Sequence, residues 1–436
     1  MERLQHCYAN GGRIDLSLSL DLYPGQAALI CGPSGSGKST FLRALARCSA
    51  ENSKSSWQAR KLPENPRLAM QNPETQLLCT TVEEEIALGL HTLHLSGEEM
   101  SSRIEEQLKL HSLLPLRHRN LEMLSMGQKH RVLLAALLAM KPSLLLLDEP
   151  FSQLDLAGQT ELRHCIAHLK SQGCAVIVSQ HQAAPGDPLW DIQISLPPAS
   201  RTRLSLPPLP PAPAPPPAMA FGEPLLTTSG ICCQDACSAP VLAQLDFALY
   251  PGDQVHILGE NAAGKSTLLR LLAAGQRPQL GEVRFRGTSV TSPAPLARKV
   301  LLLPQASDML LFEETVAREV GFSGRRSRNP AASRRTQEAL AFCGLGPLAE
   351  SSPLCLSHGE RHLVALATLL AAGPEVLLLD EPLTGLDDEL ARHVLRVLEY
   401  YACADNMAIL LVSHGPLPAA WGRRRFILSH GRLLDA

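Results

Sequence analysis

The sequence has no strong charge excess, no long apolar run and no start that resembles a secretory leader. Its 436 residues include 40 lysines and arginines against 42 aspartates and glutamates, for a formal net charge of −2. This balance provides neither a basic field for nucleic acid nor an acidic tail. The longest apolar region, 132–147, is interrupted by Lys141 and Pro142 and is shorter than the ~18 apolar residues that a membrane span needs. We therefore expect no nucleic-acid partner and no transmembrane helix.

The twelve cysteines are scattered along the chain. Together with the absence of a secretory signal at the start, this predicts a reducing, cytosolic compartment. Cys232, Cys233 and Cys237 are close enough in sequence to suggest a metal site. No second pair of Cys or His follows nearby at zinc-like spacing, which argues against that interpretation.

Residues 197–224, PPASRTRLSLPPLPPAPAPPPAMAFGEP, differ from the rest of the chain in being rich in proline. Proline cannot supply helix or ladder hydrogen bonds, so the segment favours extended polyproline II and is predicted to be a linker. At ~3.1 Å per residue, about twenty residues would bridge on the order of 60 Å. A ligand for an SH3-type domain is the alternative, but a tether explains the position as well as the composition. The predicted domains are therefore residues 1–196 and 225–436.

The two halves form an internal repeat that is built on a glycine-rich stretch. GPSGSGKST at 32–40 returns as GENAAGKST at 259–267, in each case after an apolar strand-like run and before a helix-like run. In this pattern, backbone N–H groups surround phosphates at a helix N-terminus, and the lysine reaches the β- and γ-phosphates. The serine that follows the lysine reaches Mg²⁺. The predicted fold class is α/β, with two P-loop NTPase domains.

Each half also contains a buried-strand pattern that ends in two carboxylates, LLLLDEP at 144–150 and VLLLDEP at 376–382. Asp148 and Asp380 suit Mg²⁺ coordination, directly or through water. Glu149 and Glu381 lie one residue further on, where a carboxylate can orient or deprotonate the water that attacks a γ-phosphate. A solvated acidic turn does not explain why both halves keep this order.

Between the P-loop and the carboxylates, LSMGQ at 124–128 and LSHGE at 356–360 each open an apolar helix-like run. A helix start is a second potential anion site. As pure structure, Ser125 and Ser357 would be N-caps and nothing more.

The full set of motifs resembles the ATP-binding cassette (ABC) family, over nearly the whole chain outside the linker. Each half has, in order, a P-loop, a glutamine (Gln71 or Gln305), an LSGGQ-like helix start, LLLDEP, an LD pair and a late histidine (His181 or His414). The resemblance implies a helical subdomain in each domain and two cassettes that meet head to tail. Each ATP would then lie between the P-loop of one cassette and the LSGGQ-like segment of the other.

The resemblance implies specific site residues. The catalytic set would be Glu149, Glu381, His181, His414, Gln71 and Gln305. The Mg²⁺ ligands would be Ser39, Asp148 and Gln71 in one half and Ser266, Asp380 and Gln305 in the other. The residues that contact ATP would be Gly32, Pro33, Ser34, Gly35, Ser36, Gly37, Lys38, Ser39 and Thr40; Gly259, Glu260, Asn261, Ala262, Ala263, Gly264, Lys265, Ser266 and Thr267; Ser125, Gly127 and Gln128; Ser357, Gly359 and Glu360; and Tyr8 beneath the adenine.

Residues 69–90, AMQNPETQLLCTTVEEEIALGL, are similar to the Q-loop region of energy-coupling factor (ECF) and cobalt-type importer ATPases. Within that family, this segment borders a groove for helices of an integral membrane partner. Glu83, Glu84 and Glu85 would then receive basic side chains, whereas a solvated acidic helix face is the alternative. The resemblance implies a peripheral protein at the cytoplasmic face of the membrane that hydrolyses ATP for a transmembrane coupling protein and a substrate-binding membrane protein. The solute stays open between vitamins and transition-metal ions.

Some positions depart from the family pattern. No aromatic residue near Cys232 and Cys233 matches Tyr8, which could itself be a half-buried strand residue. Ala262 replaces Gly35, at a cost of roughly 1–2 kcal/mol if that position needs a left-handed backbone. His358 and Glu360 alter the second LSGGQ-like segment.

Two other functional classes stay open at this point. One is a soluble twin-cassette protein that acts on ribosomes or nucleic acid, although this chain lacks a long charged linker and basic extensions. The other is a nucleotide-binding assembly module without turnover. The presence of both glutamates and both histidines argues against the second class.

Overall fold

A computed structural model describes residues 3–7, 13–16, 20–33, 35–46, 54–58, 65–124, 126–152, 154, 156–181, 186–197, 204, 206–210, 222–234, 240–261, 263–325, 330–417 and 421–435. The chain divides into two compact units, Met1–Arg201 and Thr202–Ala436. The boundary lies inside the predicted linker segment, 197–224.

The first unit begins with strands and continues through a helical insertion to the end of a parallel sheet. In chain order its elements are β1 (Arg3–Cys7), β2 (Arg13–Leu16), β3 (Ala27–Cys31), α1 (Lys38–Leu45), β4 (Lys54–Gln58), β5 (Pro66–Ala69), α2 (Val82–Leu90), α3 (Gly97–Leu110), α4 (Met126–Ala139), β6 (Leu144–Asp148), α5 (Leu156–Ser171), β7 (Ala175–Gln180) and β8 (Ile192–Ser195).

A five-stranded parallel sheet with the order β5-β6-β7-β3-β8 forms the centre of the first unit. Its central strands are apolar runs because both of their faces are buried. Alternate residues of β3, such as Leu29 and Ile30, enter two different core clusters. A separate antiparallel sheet has the order β2-β1-β4. The helices α2, α3 and α4 are inserted between β5 and β6 and share their own apolar core.

The second unit repeats this plan with a larger antiparallel sheet. Its elements are β9 (Leu226–Gln234), β10 (Pro240–Leu249), β11 (Gln254–Leu258), α6 (Lys265–Leu272), β12 (Leu280–Phe285), β13 (Thr288–Ser289), β14 (Val300–Leu303), α7 (Val316–Val320), α8 (Phe322–Arg325), α9 (Pro330–Phe342), α10 (His358–Ala372), β15 (Val376–Asp380), α11 (Asp388–Ala404), β16 (Ala408–Ser413), β17 (Arg424–Ser429) and β18 (Arg432–Asp435).

The main sheet of the second unit has the order β14-β15-β16-β11-β17-β18, in which only the last pair is antiparallel. The second sheet has the order β10-β9-β12-β13. The first five strands of the main sheet correspond one by one to those of the first unit. The predicted α/β class, with two P-loop domains that each carry a helical subdomain, is confirmed.

The strand order brings the candidate site residues to one edge of each main sheet. In the first unit, the P-loop follows β3, Asp148 ends β6, and His181 follows β7, which lies between those two strands. The carboxyl ends of parallel strands meet at a single edge, and ligands of open α/β sheets bind there, where the strand order reverses. The second unit repeats the arrangement with β11, β15 and β16.

Three leucines of the proline-rich segment pack on the second unit. Leu204, Leu206 and Leu209 are partly buried against the core cluster that includes Trp421. This part of the segment therefore belongs to the second unit. Among the described residues, none of the helices has the length and apolar character required to cross a membrane.

Candidate active site

Both P-loops end in a glycine with a left-handed backbone, directly before a helix that starts with lysine. Gly37 has φ 94° and Gly264 has φ 101°. Gly35 also has a positive φ, 76°. Residues with a side chain rarely adopt this backbone conformation, which explains the glycine. Its counterpart Ala262 lies outside the described residues, as does Ser34.

The P-loop lysines are buried and bonded to the carbonyls of their own loops. Lys38 Nζ donates to the carbonyl oxygens of Gly32 at 2.7 Å and Pro33 at 3.2 Å. Lys265 Nζ donates to Gly259 at 2.6 Å and Glu260 at 2.9 Å. The loop is therefore held closed around an ammonium group, with the charge placed where phosphate oxygens would bind.

The carboxylate of Glu149 is at the centre of a charged cluster in the first unit. Its Oε1 lies 3.4 Å from Lys38 Nζ, and Gln71 Nε2 donates to its Oε2 at 3.0 Å. His181 Nε2 lies 3.0 Å from the same Oε2. Burial alone would raise the pKa of Glu149, but His181 and Lys38 outweigh it and hold the pKa below its usual value. Glu149 is therefore ionised at neutral pH and can accept a hydrogen bond from water.

The second unit builds the same cluster with a different set of contacts. Glu381 Oε1 lies 3.6 Å from Lys265 Nζ, and His414 Nδ1 forms a 2.9 Å hydrogen bond with Oε2. In the described part of this unit, Gln305 makes no hydrogen bond to Glu381. The two sites thus share the lysine, the glutamate and the histidine but differ in the glutamine.

Both glutamates have a backbone that non-glycine residues rarely adopt. The φ angles are 50° at Glu149 and 51° at Glu381. Strain of this kind persists only where the surrounding structure fixes it, and it is concentrated at functional sites. Its recurrence at the same place in both units supports a functional role for these two residues.

The aspartates before these glutamates are buried next to the P-loop serines. Ser39 bonds the side chain of Asp148, and Ser266 bonds that of Asp380. Burial raises the pKa of both aspartates, to about 6 for Asp380, and the serine bonds oppose the rise only in part. A carboxylate beside a hydroxyl is a donor set of hard oxygens, which is what Mg²⁺ prefers, so these residues fit the ion.

The LSGGQ-like segment of the second unit lies at the N-terminus of α10, where its own side chains cap the helix. Ser357 caps α10 in a capping box with Glu360: Glu360 N donates to Ser357 Oγ at 3.3 Å, and Ser357 N donates to Glu360 Oε2 at 2.8 Å. The Ser357 hydroxyl also donates to Glu360 Oε2, at 2.9 Å. The interpretation of Ser357 as an N-cap therefore holds. In the first unit, Gly127 and Gln128 lie in the first turn of α4, while Ser125 is outside the described residues.

The three glutamates of the Q-loop region each contact a group of their own unit. Glu83 pairs with Arg117, and Glu84 completes the capping box of Thr81. Glu85 is buried, and its Oε2 accepts the backbone N–H groups of residues 78 and 79 at 2.8 Å each. Each carboxylate thus has a partner within its own unit, and Glu84 is also exposed to solvent. A role of this cluster in receiving basic side chains of a membrane partner stays a prediction.

Sequence reasoning missed two kinds of contact at the site. The first is the buried carboxylate that holds the Q-loop turn, Glu85 in one unit and Glu319 in the other, where Glu319 Oε2 accepts from Phe312 N and Glu313 N at 2.8 Å each. A signal existed, because the last glutamate is the only glutamate that TVEEE and TVARE have in common. The second is Ser179, which bonds Asp148. Tyr8 lies outside the described residues.

Comparisons with known proteins agree with this geometry. Residues 16–152 and 242–384 each match the family model described as ABC transporter, so well over half of the chain is matched. A provisionally named ABC transporter ATP-binding protein of Bifidobacterium longum is 27% identical over 483 residues, which cover 91% of this chain and 60% of that protein. The chain thus spans less than two thirds of that relative.

A second relative and a solved structure carry more specific names. The provisionally named HMP/thiamine import ATP-binding protein YkoD of Bacillus subtilis is 27% identical over 458 residues, covering 91% of this chain and 83% of its own length. The structure of cbiO1 from Clostridium perfringens, described as part of the ABC transporter complex cbiONQ, is 25% identical with a TM-score of 0.44. It covers 49% of this chain, and the match covers 88% of cbiO1.

Proposed function

This chain belongs to the ABC transporter family, as an ATPase with two ATP-binding cassettes, and we propose that it powers an importer of the ECF type. The transported solute would be a vitamin or a transition-metal ion, taken up through separate membrane subunits. The observation that carries the ATPase part of the proposal is the lysine–glutamate–histidine cluster, which both units hold beside a P-loop. The importer part rests on the similarity of residues 69–90 to the Q-loop region of ECF and cobalt-type importer ATPases. The name of the Bacillus subtilis relative agrees with import.

We propose that each ATP is bound by motifs from both cassettes. This rests on the order of the motifs and on the family resemblance. Site one would combine Lys38, Gln71, Glu149 and His181 with Ser357 and Gly359. Site two would combine Lys265, Gln305, Glu381 and His414 with Ser125 and Gly127.

Within each site, the residues of this chain would divide the work of phosphoryl transfer. The P-loop N–H groups and the lysine bind the phosphates, with the lysine exchanging its carbonyl bonds for phosphate oxygens. The ionised Glu149 accepts a hydrogen bond from the attacking water and orients it, while His181 keeps a donor beside the transferred group. Ser39 and Asp148 would hold Mg²⁺, which neutralises charge that develops on the phosphates.

Exposed apolar side chains near the Q-loops support a protein partner. Leu78 is 78% exposed in the first unit, and Met309 and Phe312 are 82% and 65% exposed in the second. Large apolar groups that a monomer leaves in water at one equivalent place in two repeats are typical of an interaction site. We propose that this surface receives helices of the membrane subunits, so that the chain is peripheral at the cytoplasmic face.

The test is expression of the chain with and without the small hydrophobic proteins that co-purify with it from membranes, followed by uptake assays. We expect ATP-driven uptake that requires the chain and is lost in the Glu149→Gln, Glu381→Gln double variant. Equal membrane retention without any partner would contradict the proposal. Co-purification with ribosomes instead of membrane proteins would favour the soluble twin-cassette alternative.

A further inference from the structure

The two units differ at one position next to the aspartate that would bind Mg²⁺. In the first unit, the parallel register of β6 and β7 places Ser179 beside Asp148. In the second unit, the register of β15 and β16 places Val412 beside Asp380. The backbone arrangement is the same, and only one of the two side chains carries a hydroxyl.

The hydroxyl of Ser179 bonds both acidic residues of the first site. The side chain is fully buried, and its Oγ donates to Asp148 Oδ1 at 2.7 Å. The same Oγ accepts the backbone N–H of Glu149 at 3.0 Å. A serine hydroxyl offers one donor and accepts through its lone pairs, so Ser179 fixes the carboxylate of Asp148 and the peptide of Glu149 together.

The described residues of the second unit contain no equivalent of this contact. Glu381 N donates instead to the backbone carbonyl of Val412, at 3.1 Å. Asp380 Oδ1 is buried and has no hydrogen-bond partner within the described part of the chain. Ser266 is the hydroxyl that lies next to this carboxylate within the same described residues.

We propose that Ser179 is a positioning residue that orients Asp148 for Mg²⁺, and that the site built on the first unit's P-loop consequently binds the ion more tightly than the site built on the second. Hydrogen bonds to a metal-binding carboxylate set its orientation, and their loss typically lowers metal affinity 10- to 100-fold. The inference rests on the proposed role of the two aspartates as Mg²⁺ ligands. It goes beyond that role because it assigns a difference between two sites that share the same motifs.

The experiment measures the dissociation constant of Mn²⁺, which prefers the same oxygen ligands as Mg²⁺, by electron paramagnetic resonance on the full chain with a non-hydrolysable ATP analogue. The Lys265→Ala background isolates the first site, and Lys38→Ala isolates the second. We expect Ser179→Val to weaken Mn²⁺ binding at the first site by roughly 10- to 100-fold. Ser179→Thr has the shape of the valine variant but keeps the hydroxyl, and we expect it to retain tight binding.

The reciprocal variant, Val412→Ser, supplies a hydroxyl beside Asp380 and should tighten Mn²⁺ binding at the second site. It provides an independent test if Ser179→Val does not fold. An unchanged Mn²⁺ dissociation constant in Ser179→Val, with a lower thermal midpoint, would show that the hydroxyl is structural only and would overturn the inference. Absence of Mn²⁺ binding at both sites of the unaltered chain would contradict the metal role of the aspartates themselves.

Discussion

The carboxylate of Glu85 accepts a 2.8 Å hydrogen bond from the backbone N–H of Leu78. The buried Glu85 thus fixes the backbone of Leu78, whose side chain is exposed to solvent. The same carboxylate oxygen accepts a second N–H, from Cys79. Glu319 makes the equivalent pair of bonds in the second unit. The turn after each Q-loop glutamine is thus tied to the helix that follows it, α2 or α7.

We predict that Glu85→Ala loosens this turn. It removes two hydrogen bonds to a charged group, each worth roughly 1.5–3 kcal/mol, and leaves two N–H groups without their acceptor. Hydrogen–deuterium exchange should speed up at residues 78 and 79, and Glu85→Gln should do less because an amide oxygen can still accept.

Glu84→Gln is the matched control, since glutamine also completes a capping box and should leave stability within about 0.5 kcal/mol. Unchanged exchange at residues 78 and 79 in Glu85→Ala would show that the turn is held by other contacts.

We expect both sites to hydrolyse ATP. The buried glutamate, the lysine and the histidine recur in each unit, and loss of a group that orients the attacking water typically removes ~10² to 10⁴ of rate in its own site. Glu149→Gln and Glu381→Gln should each lower total turnover substantially, and the double variant should abolish it. The measurement is steady-state ATPase activity of the assembled complex. If Glu381→Gln left turnover intact while Glu149→Gln removed it, the second site would be a clamp that only holds nucleotide.

The first unit should lose stability in mild acid through His130. The side chain is 1% exposed, neither ring nitrogen has a hydrogen-bond partner among the described residues, and burial lowers its pKa to about 4. His130 therefore becomes protonated near pH 6.5 in the unfolded chain but only near pH 4 in the folded chain. The contribution is fully present above pH 6.5 and falls by up to about 3 kcal/mol as the pH drops to 4.

Urea unfolding of the first unit between pH 7 and pH 4 checks this expectation. His130→Met removes the titrating group and should reduce the slope of stability against pH by one proton over that range. An unaltered slope would mean that His130 is already accessible to protons in the folded state.

A fourth prediction concerns the residue that contacts the corresponding histidine in the second unit. Ser307 Oγ lies 2.9 Å from His362 Nδ1, and both residues are buried. The first unit has Pro73 where the second has Ser307, which is why His130 has no such bond. Ser307→Ala should cost about 1–3 kcal/mol by leaving buried polar atoms unpaired, measured by thermal unfolding. Pro73→Ser is the reciprocal variant, and a loss of stability in both would show that the serine–histidine bond is not the cause.

The parts of the fold that could be predicted from the sequence are those with a local signal. The P-loops, the strands that end in Asp-Glu-Pro and the late histidines each follow from short patterns, and their repetition predicted two units with the same plan. The parallel sheet follows because its strands are continuous apolar runs, which only burial on both faces explains.

The parts that could not be predicted depend on backbone groups that come together only in the folded chain. Glu85 lies in a run of three glutamates, and nothing within that run distinguishes it from its neighbours. Only comparison with the second unit singles out the position, and neither segment shows that its glutamate accepts two backbone N–H groups. The positive φ of Glu149 occurs at a residue that is not glycine, so the sequence carries no sign of it. Gln71 and Gln305 have the same motif context, yet among the described residues Gln71 bonds its glutamate and Gln305 does not.

The leucines of the proline-rich segment have a consequence for how the second half can be isolated. By composition, an autonomous fragment would begin at residue 225, after the last prolines. Leu204, Leu206 and Leu209 nevertheless cover part of the apolar core of the second unit. A fragment that began at 225 would expose that apolar surface to solvent and would be prone to aggregate. A fragment that began at 202 would retain the three leucines that cover it.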